Sequence, residues 1–199
     1  MGMRYCRPFC GAGASVRQAF CQWRIRDGRP GARVPSPERA WVVETGSLTA
    51  GLRQRCGRAF NVRVLDQGWY RPALDEAWRL HLERRHVAWV RQVALCCGNQ
   101  PLILARTVIP PHSLRSGNET LRHLGARPLG ELLFRGGGTP HEPMEVARLR
   151  AGDWLAERMG GAGLSPASGC WARRVVHYLR GRPLLVAEIF LPELFHCQP

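Results

Sequence analysis

Gly181-Arg-Pro-Leu-Leu-Val-Ala-Glu-Ile-Phe-Leu-Pro192 places a single carboxylate, Glu188, inside an otherwise apolar run. A short run of branched and aromatic residues, bounded by Gly-x-Pro and by Pro192, reads as a buried strand. A carboxylate taken out of water without a partner is costly, so Glu188 either meets a cation or is kept to meet a ligand.

The surrounding residues form one half of an internal repeat. Residues 171–192 align without gaps on residues 89–110, with Trp89/Trp171, Arg91/Arg173, Val93/Val175, Pro101/Pro183, Ala105/Ala187 and Pro110/Pro192 coinciding. Each copy reads as strand, Gly-containing turn and strand, a β-hairpin ending at a proline. Arg106 stands where the second copy has Glu188. Strand alternation puts Trp89, Arg91, Val93 and Leu95 on one face, and gives Glu188 and Arg106 corresponding faces in their copies. Arg91, Arg106 and Glu188 then either converge on an anionic ligand or form an ion pair within the sheet. Both readings fit the pattern.

With 199 residues and 45% apolar content, the chain suits one domain with a sizeable core. The formal net charge is +14, and all 29 basic residues are Arg, spread along the chain without an aromatic–basic cluster. This distribution reads as compositional bias and argues against nucleic acid, while an anionic small molecule or an anionic membrane surface fits the charge equally well. The eight cysteines follow no disulfide framework, and Cys6, Cys10 and Cys21 lack a second pair at ligand spacing, so a reduced, cytoplasmic protein without metal is expected. No apolar run reaches the length of a spanning helix, so membrane insertion is not expected.

Residues 1–40 are broken by turn formers and read as a loose or variable arm, with the folded domain at 41–199 and order beginning near Trp41. Ser47 before Leu48-Thr-Ala-Gly-Leu-Arg-Gln-Arg-Cys56 and Gly57 after it spell an N-cap, a short helix and a stop. The Leu48 amide is then an unsatisfied donor open to an anion. Phe60–Leu65 alternates as a strand and Asp66-Gln-Gly68 reads as a turn. Residues 72–86, with Leu74, Trp78 and Leu82 at helical spacing, suggest an amphipathic helix or a covered loop, with His81 and His86 solvated. Residues 110–134 read as a helical hairpin in which Pro128 opens the second helix and leaves the Leu129 amide as a second anion donor. Residues 143–159 fit a helix better than a strand, and residues 160–169 read as a flexible surface insertion. Gly136-Gly-Gly138 lacks the Lys-Ser/Thr of a phosphate loop and reads as a hinge. Nucleophile-elbow, zinc-helix and dinucleotide signatures are absent from the chain.

Gly46-Ser-Leu-Thr-x-x-Leu52, Trp89-Val-Arg-Gln-Val93, Ala105-Arg-Thr-Val-Ile-Pro110, Leu124-Gly-x-x-Pro-Leu-Gly130 and Pro183–Pro192 follow one another as in the chorismate pyruvate-lyase family, which residues 41–192 resemble. The resemblance implies an α+β fold: a single antiparallel sheet of about six strands, with helical flaps over a buried pocket. It also implies a strand near residues 143–149, against the helix read from spacing. It implies a cofactor-independent, metal-free carbon–oxygen lyase that eliminates pyruvate from chorismate to give 4-hydroxybenzoate for ubiquinone biosynthesis, acting in the cytoplasm as a monomer. Carried over by residue, Arg91 grips the ring carboxylate, the Leu48 and Leu129 amides assist it, and Glu188 sits at the hydroxyl end as a proton donor or only as a ring-orienting group. Covering flaps imply that residues 116–134 move to release product, with Gly125 and Gly136–Gly138 as hinges. The alternative is a non-catalytic effector-binding domain of the kind attached to transcription regulators. The first forty residues show no helix-turn-helix pattern to support it.

Overall fold

A computed structural model describes residues 21–25, 34–115, 117–160 and 169–196. The rest of the expected N-terminal arm and most of the Gly/Ser-rich insertion, residues 161–168, lie outside the described residues. One antiparallel sheet dominates. Its strands are β1 (Arg24–Ile25), β2 (Phe60–Tyr70), β3 (Ala88–Cys97), β4 (Gln100–Ile109), β5 (Glu145–Arg148), β6 (Trp171–Leu179) and β7 (Arg182–Phe190), in the spatial order β1-β5-β6-β7-β4-β3-β2. The expected six-stranded α+β architecture is present, with the two-residue β1 added at one edge. Helices α1 (Ser36–Val42), α2 (Leu48–Cys56), α3 (Leu74–Arg79), α4 (Gly130–Leu133), α5 (Trp154–Gly160) and α6 (Glu193–His196) are short. Among the described residues no helix is long and apolar enough to cross a membrane.

The two hairpins of the repeat are β3–β4 and β6–β7, and they lie side by side because β4 pairs with β7. They differ by one residue of register. The second hairpin pairs without interruption from Leu179↔Arg182 to Trp171↔Phe190. In the first, Cys96 faces Pro101 but Leu95 faces Ile103, so Leu102 is an extra residue in β4. A one-residue bulge turns every later side chain of its strand to the opposite face. Beyond it Ala105, not Arg106, lies beside Glu188. The expected convergence of Arg106 with Arg91 and Glu188 is therefore corrected: Arg106 points to the rear of the sheet.

On that rear face Arg106 is 4% exposed and meets Glu76, 1% exposed, through Nε–Oε1 at 2.8 Å and Nη2–Oε2 at 3.0 Å. This pair explains why α3 presents an unexpected side. Leu74 and Trp78 are 44% and 73% exposed, whereas Glu76 and Ala77 are buried. The apolar spacing suggested the reverse, but the buried cation in β4 draws the carboxylate inward. Leu104, Ile189, Leu155 and Met159 complete the apolar rear core beneath α5.

Other local expectations are corrected similarly. Asp66-Gln-Gly68 is not a turn; β2 continues to Tyr70 along β3, and a register shift between Val64 and Asp66 absorbs the irregularity. Residues 143–159 divide into strand β5, as the resemblance implied, and helix α5. Residues 110–134 form two 3-10 turns, Pro111–Leu114 and Glu119–His123, followed by α4, in place of two longer helices. Pro110, Pro111 and Pro128 interrupt helical continuity, and Gly125 at φ 54° turns the chain sharply. Leu114, Leu121, Leu124, Leu129 and Leu133 instead bind this segment to Ile109 and Leu184 on the front face. Ahead of Trp41, α1 starts at Ser36, Arg24 and Ile25 pair with Val146 and Glu145, and Cys21 is buried.

Candidate active site

The front of the sheet, opposite the Arg106–Glu76 pair, carries a cavity of about 260 Å³. An apolar cavity of ~150 Å³ holds benzene, so this space suits a six-membered ring with substituents. Two rungs of the ladder form its floor. One runs Arg91, Thr107, Val186, Val175 and the next on the same face runs Val93, Ala105, Glu188, Arg173. The roof comes from the start of α2, from Pro128 to Phe134 around α4, and from His141 to Met144.

Arg91 is 2% exposed. Its Nη2 donates to the carbonyls of Gly125 at 2.8 Å and Arg127 at 3.1 Å, which tether it to the roof, while its Nε is buried with no acceptor among the described residues. Burial lowers the guanidinium pKa to about 10, and no carboxylate offsets this among the described residues. It remains protonated near neutral pH. Removing a cation from water without a counter-charge is expensive, so this side chain is poised for an anion that arrives with a ligand.

Two helix starts meet beside it. Ser47 caps α2 by accepting from the Ala50 amide at 3.3 Å, which leaves the Leu48 amide at the open end of the helix. Leu129 precedes α4 with helical angles, φ −64° and ψ −33°, and its carbonyl accepts from Leu132 and Leu133. Both residues line the cavity. Gly130 permits the approach of the two helix starts, since a Cβ there would lie 3.0 Å from Thr49 Oγ1 and 3.3 Å from Ser47 Oγ. Donors from two elements beside an unpaired arginine suit a carboxylate.

Glu188 lies in the adjoining rung. Its surroundings are not apolar: Arg173 Nε donates to Glu188 Oε2 at 2.6 Å, and Arg173 Nη1 donates to the Glu44 carbonyl. Glu188 is thus the acceptor of a charge-assisted hydrogen bond. Its neighbour in sequence behaves differently. Arg174 turns to the rear and is held by Glu145 at 2.7 Å and Asp75 at 2.9 Å, within a network that includes Arg79 and Glu142. Arg106 and Arg174 therefore carry structural ion pairs, whereas Arg91 does not.

Sequence reasoning brought Arg91, Leu48, Leu129 and Glu188 to one place, and the structure lines one cavity with all four. It missed Arg173 and His177. The repeat could have revealed Arg173, which is the aligned counterpart of Arg91. His177 is 8% exposed, beside His141 at 5.7 Å between ring centroids. Burial first, then His141 and Arg173, push its pKa down to about 4, so it is neutral near pH 7.

The chorismate lyase family model matches residues 32–198. The chain belongs to the chorismate lyase family. It is 43% identical over 153 residues to a "Probable chorismate pyruvate-lyase" of Methylococcus capsulatus, covering 77% of this chain and 93% of that relative. A relative of the same name from Halorhodospira halophila is 43% identical over 164 residues, covering 82% and 86%. One from Aromatoleum aromaticum is 40% identical over 174 residues, covering 86% and 92%. Among solved structures, a GntR-family transcriptional regulator from Bacillus cereus aligns with a TM-score of 0.50 at 14% identity, over 71% of this chain and 97% of that one. That likeness concerns the fold alone.

Proposed function

We propose that this chorismate lyase family member eliminates pyruvate from chorismate to give 4-hydroxybenzoate, for ubiquinone biosynthesis in the cytoplasm and without a cofactor. The observation that carries the reading is the buried Arg91, which among the described residues has no acceptor for its Nε and no carboxylate partner, facing a ring-sized cavity beside two helix starts. The alternative outside the enzyme class, a non-catalytic effector domain, draws on the regulator fold only. The relatives' names and family favour the lyase.

The chemistry asks little of the protein. The ether bond between the ring and the enolpyruvyl oxygen breaks, the adjacent ring carbon loses its proton, and the ring becomes aromatic. The departing enolpyruvate takes up a proton at its methylene carbon and becomes pyruvate, so the reaction balances without water or an oxidant. Holding the ring and excluding water suffice to accelerate such a step. In this reading Arg91 and the Leu48 and Leu129 amides fix the ring carboxylate, and Glu188, held by Arg173, accepts from the ring hydroxyl at the other end.

The roof segment must open for exchange. Gly136, Gly137 and Gly138 all adopt positive φ, at 65°, 100° and 94°, directly after α4, which suits them to act as its hinge. Product that engages both Arg91 and Glu188 would leave slowly and inhibit. Incubating purified protein with chorismate and following pyruvate tests the reaction. Pyruvate and 4-hydroxybenzoate should appear in equal amounts, and a rate no greater than that of chorismate alone would refute the assignment.

A further inference from the structure

We propose that Arg173 is the second carboxylate site of the cavity and receives the carboxylate of the substrate's enolpyruvyl group, while Glu188 holds its guanidinium in place. This inference rests on the proposed reaction of chorismate, which carries one carboxylate on the ring and a second on the side chain that leaves. One cation cannot serve both ends of such a dianion. Among the described residues, Arg91 and Arg173 are the two arginines lining the cavity.

The sheet sets their separation. Arg91 on β3 and Arg173 on β6 are three strand steps apart, in adjacent rungs of one face. With about 4.8 Å between strands and about 3.3 Å per residue, their backbones are roughly 16 Å apart. Two arginine side chains reaching inward reduce that gap to the span of a ligand with a carboxylate at each end. Arg173 does reach inward: its bond to Glu188, directly across on β7, carries the guanidinium over the floor toward β4 and β3.

Its donors are only partly committed. Nε goes to Glu188 and Nη1 to the Glu44 carbonyl, while among the described residues no acceptor is found for Nη2. A residue 5% exposed that lines a cavity and keeps donor hydrogens in reserve is suited to a ligand anion. Neighbouring His177 is neutral near pH 7, which leaves Arg173 to supply the positive charge at this end of the floor. The site also distinguishes substrate from product, because 4-hydroxybenzoate has no group to place there.

The test compares two ring ligands that differ only in the second carboxylate, 3-(carboxymethoxy)-4-hydroxybenzoate and 3-ethoxy-4-hydroxybenzoate, by calorimetric titration. The wild type should bind the dicarboxylate at least about tenfold more tightly. Arg173→Gln should abolish that advantage while changing 4-hydroxybenzoate affinity far less. Because Arg173→Gln leaves Glu188 without its partner, the same comparison is made between Glu188→Gln and Arg173→Gln/Glu188→Gln, in which the ion pair is already dismantled. With chorismate itself, the Arg173 variants should show a raised KM and a smaller change in kcat. Equal affinity of the wild type for both ring ligands, or an advantage that survives in the Arg173 variants, overturns the inference. Neither outcome depends on turnover, so absence of pyruvate from the wild type would refute the proposed reaction separately.

Discussion

Arg91→Ala should lose most of its affinity for 4-hydroxybenzoate, by about 2–5 kcal/mol, or roughly 30- to 4,000-fold in Kd. The size follows from what the wild-type side chain lacks. Arg91 is buried, and among the described residues its Nε has no partner and only two carbonyls, those of Gly125 and Arg127, accept from it. The desolvation of this cation is already charged to the folded state, so a ligand carboxylate meets it at no further desolvation cost on the protein side. Removing it leaves the carboxylate to the Leu48 and Leu129 amides alone. Stability should respond oppositely, because an uncompensated buried charge is destabilising and its loss relieves that cost. Titration calorimetry with a parallel thermal melt checks both signs. An unchanged Kd, or a variant that unfolds as readily as a broken ion pair, would make Arg91 a structural residue.

Glu76→Ala should show the complementary behaviour. The carboxylate accepts two bonds from Arg106 and one from the Ala73 amide at 2.9 Å, and both charged groups are nearly inaccessible. Breaking a pair of this kind by removing one partner costs about 3–5 kcal/mol, because the remaining charge is stranded. Folding should suffer by that amount, as chemical denaturation would measure. Replacing both partners with apolar residues of similar size, as in Glu76→Met/Arg106→Met, should recover much of the loss. Ligand affinity at temperatures where the variants are folded should be nearly unchanged, since the pair is on the rear face. A Glu76→Ala variant of wild-type stability would show that Arg106 finds compensation elsewhere.

The contrast between these two arginines marks where the sequence was legible. Local signals were read well when a few adjacent residues decide the outcome. Ser47 and Gly57 delimit α2 at Leu48–Cys56 as their chemistry requires, and the paired Gly turns place both hairpins. The residues that line the cavity could be singled out because a lone carboxylate in an apolar strand and an amide at a helix start are themselves local features. What escaped were non-local choices. A gapless repeat gives no sign of the bulge at Leu102, yet that residue decides which face Arg106 occupies. The inward side of α3 depends on that choice in turn, since Glu76 is drawn inside by an arginine thirty positions away. Arg173 and Arg174, adjacent and chemically identical, serve the cavity and the rear network respectively, and only strand register assigns them.

A crystal structure of the 4-hydroxybenzoate complex tests the central claim most directly, that Arg91 and the two helix starts form the carboxylate end of an aromatic-acid pocket. The ligand carboxylate should lie at hydrogen-bonding distance, about 2.7–3.1 Å, from the Arg91 guanidinium and from the Leu48 and Leu129 amides. Its hydroxyl should face Glu188. A ligand bound outside this cavity, or one turned so that its carboxylate meets Arg173 and leaves the Arg91 Nε without an acceptor, would contradict the account.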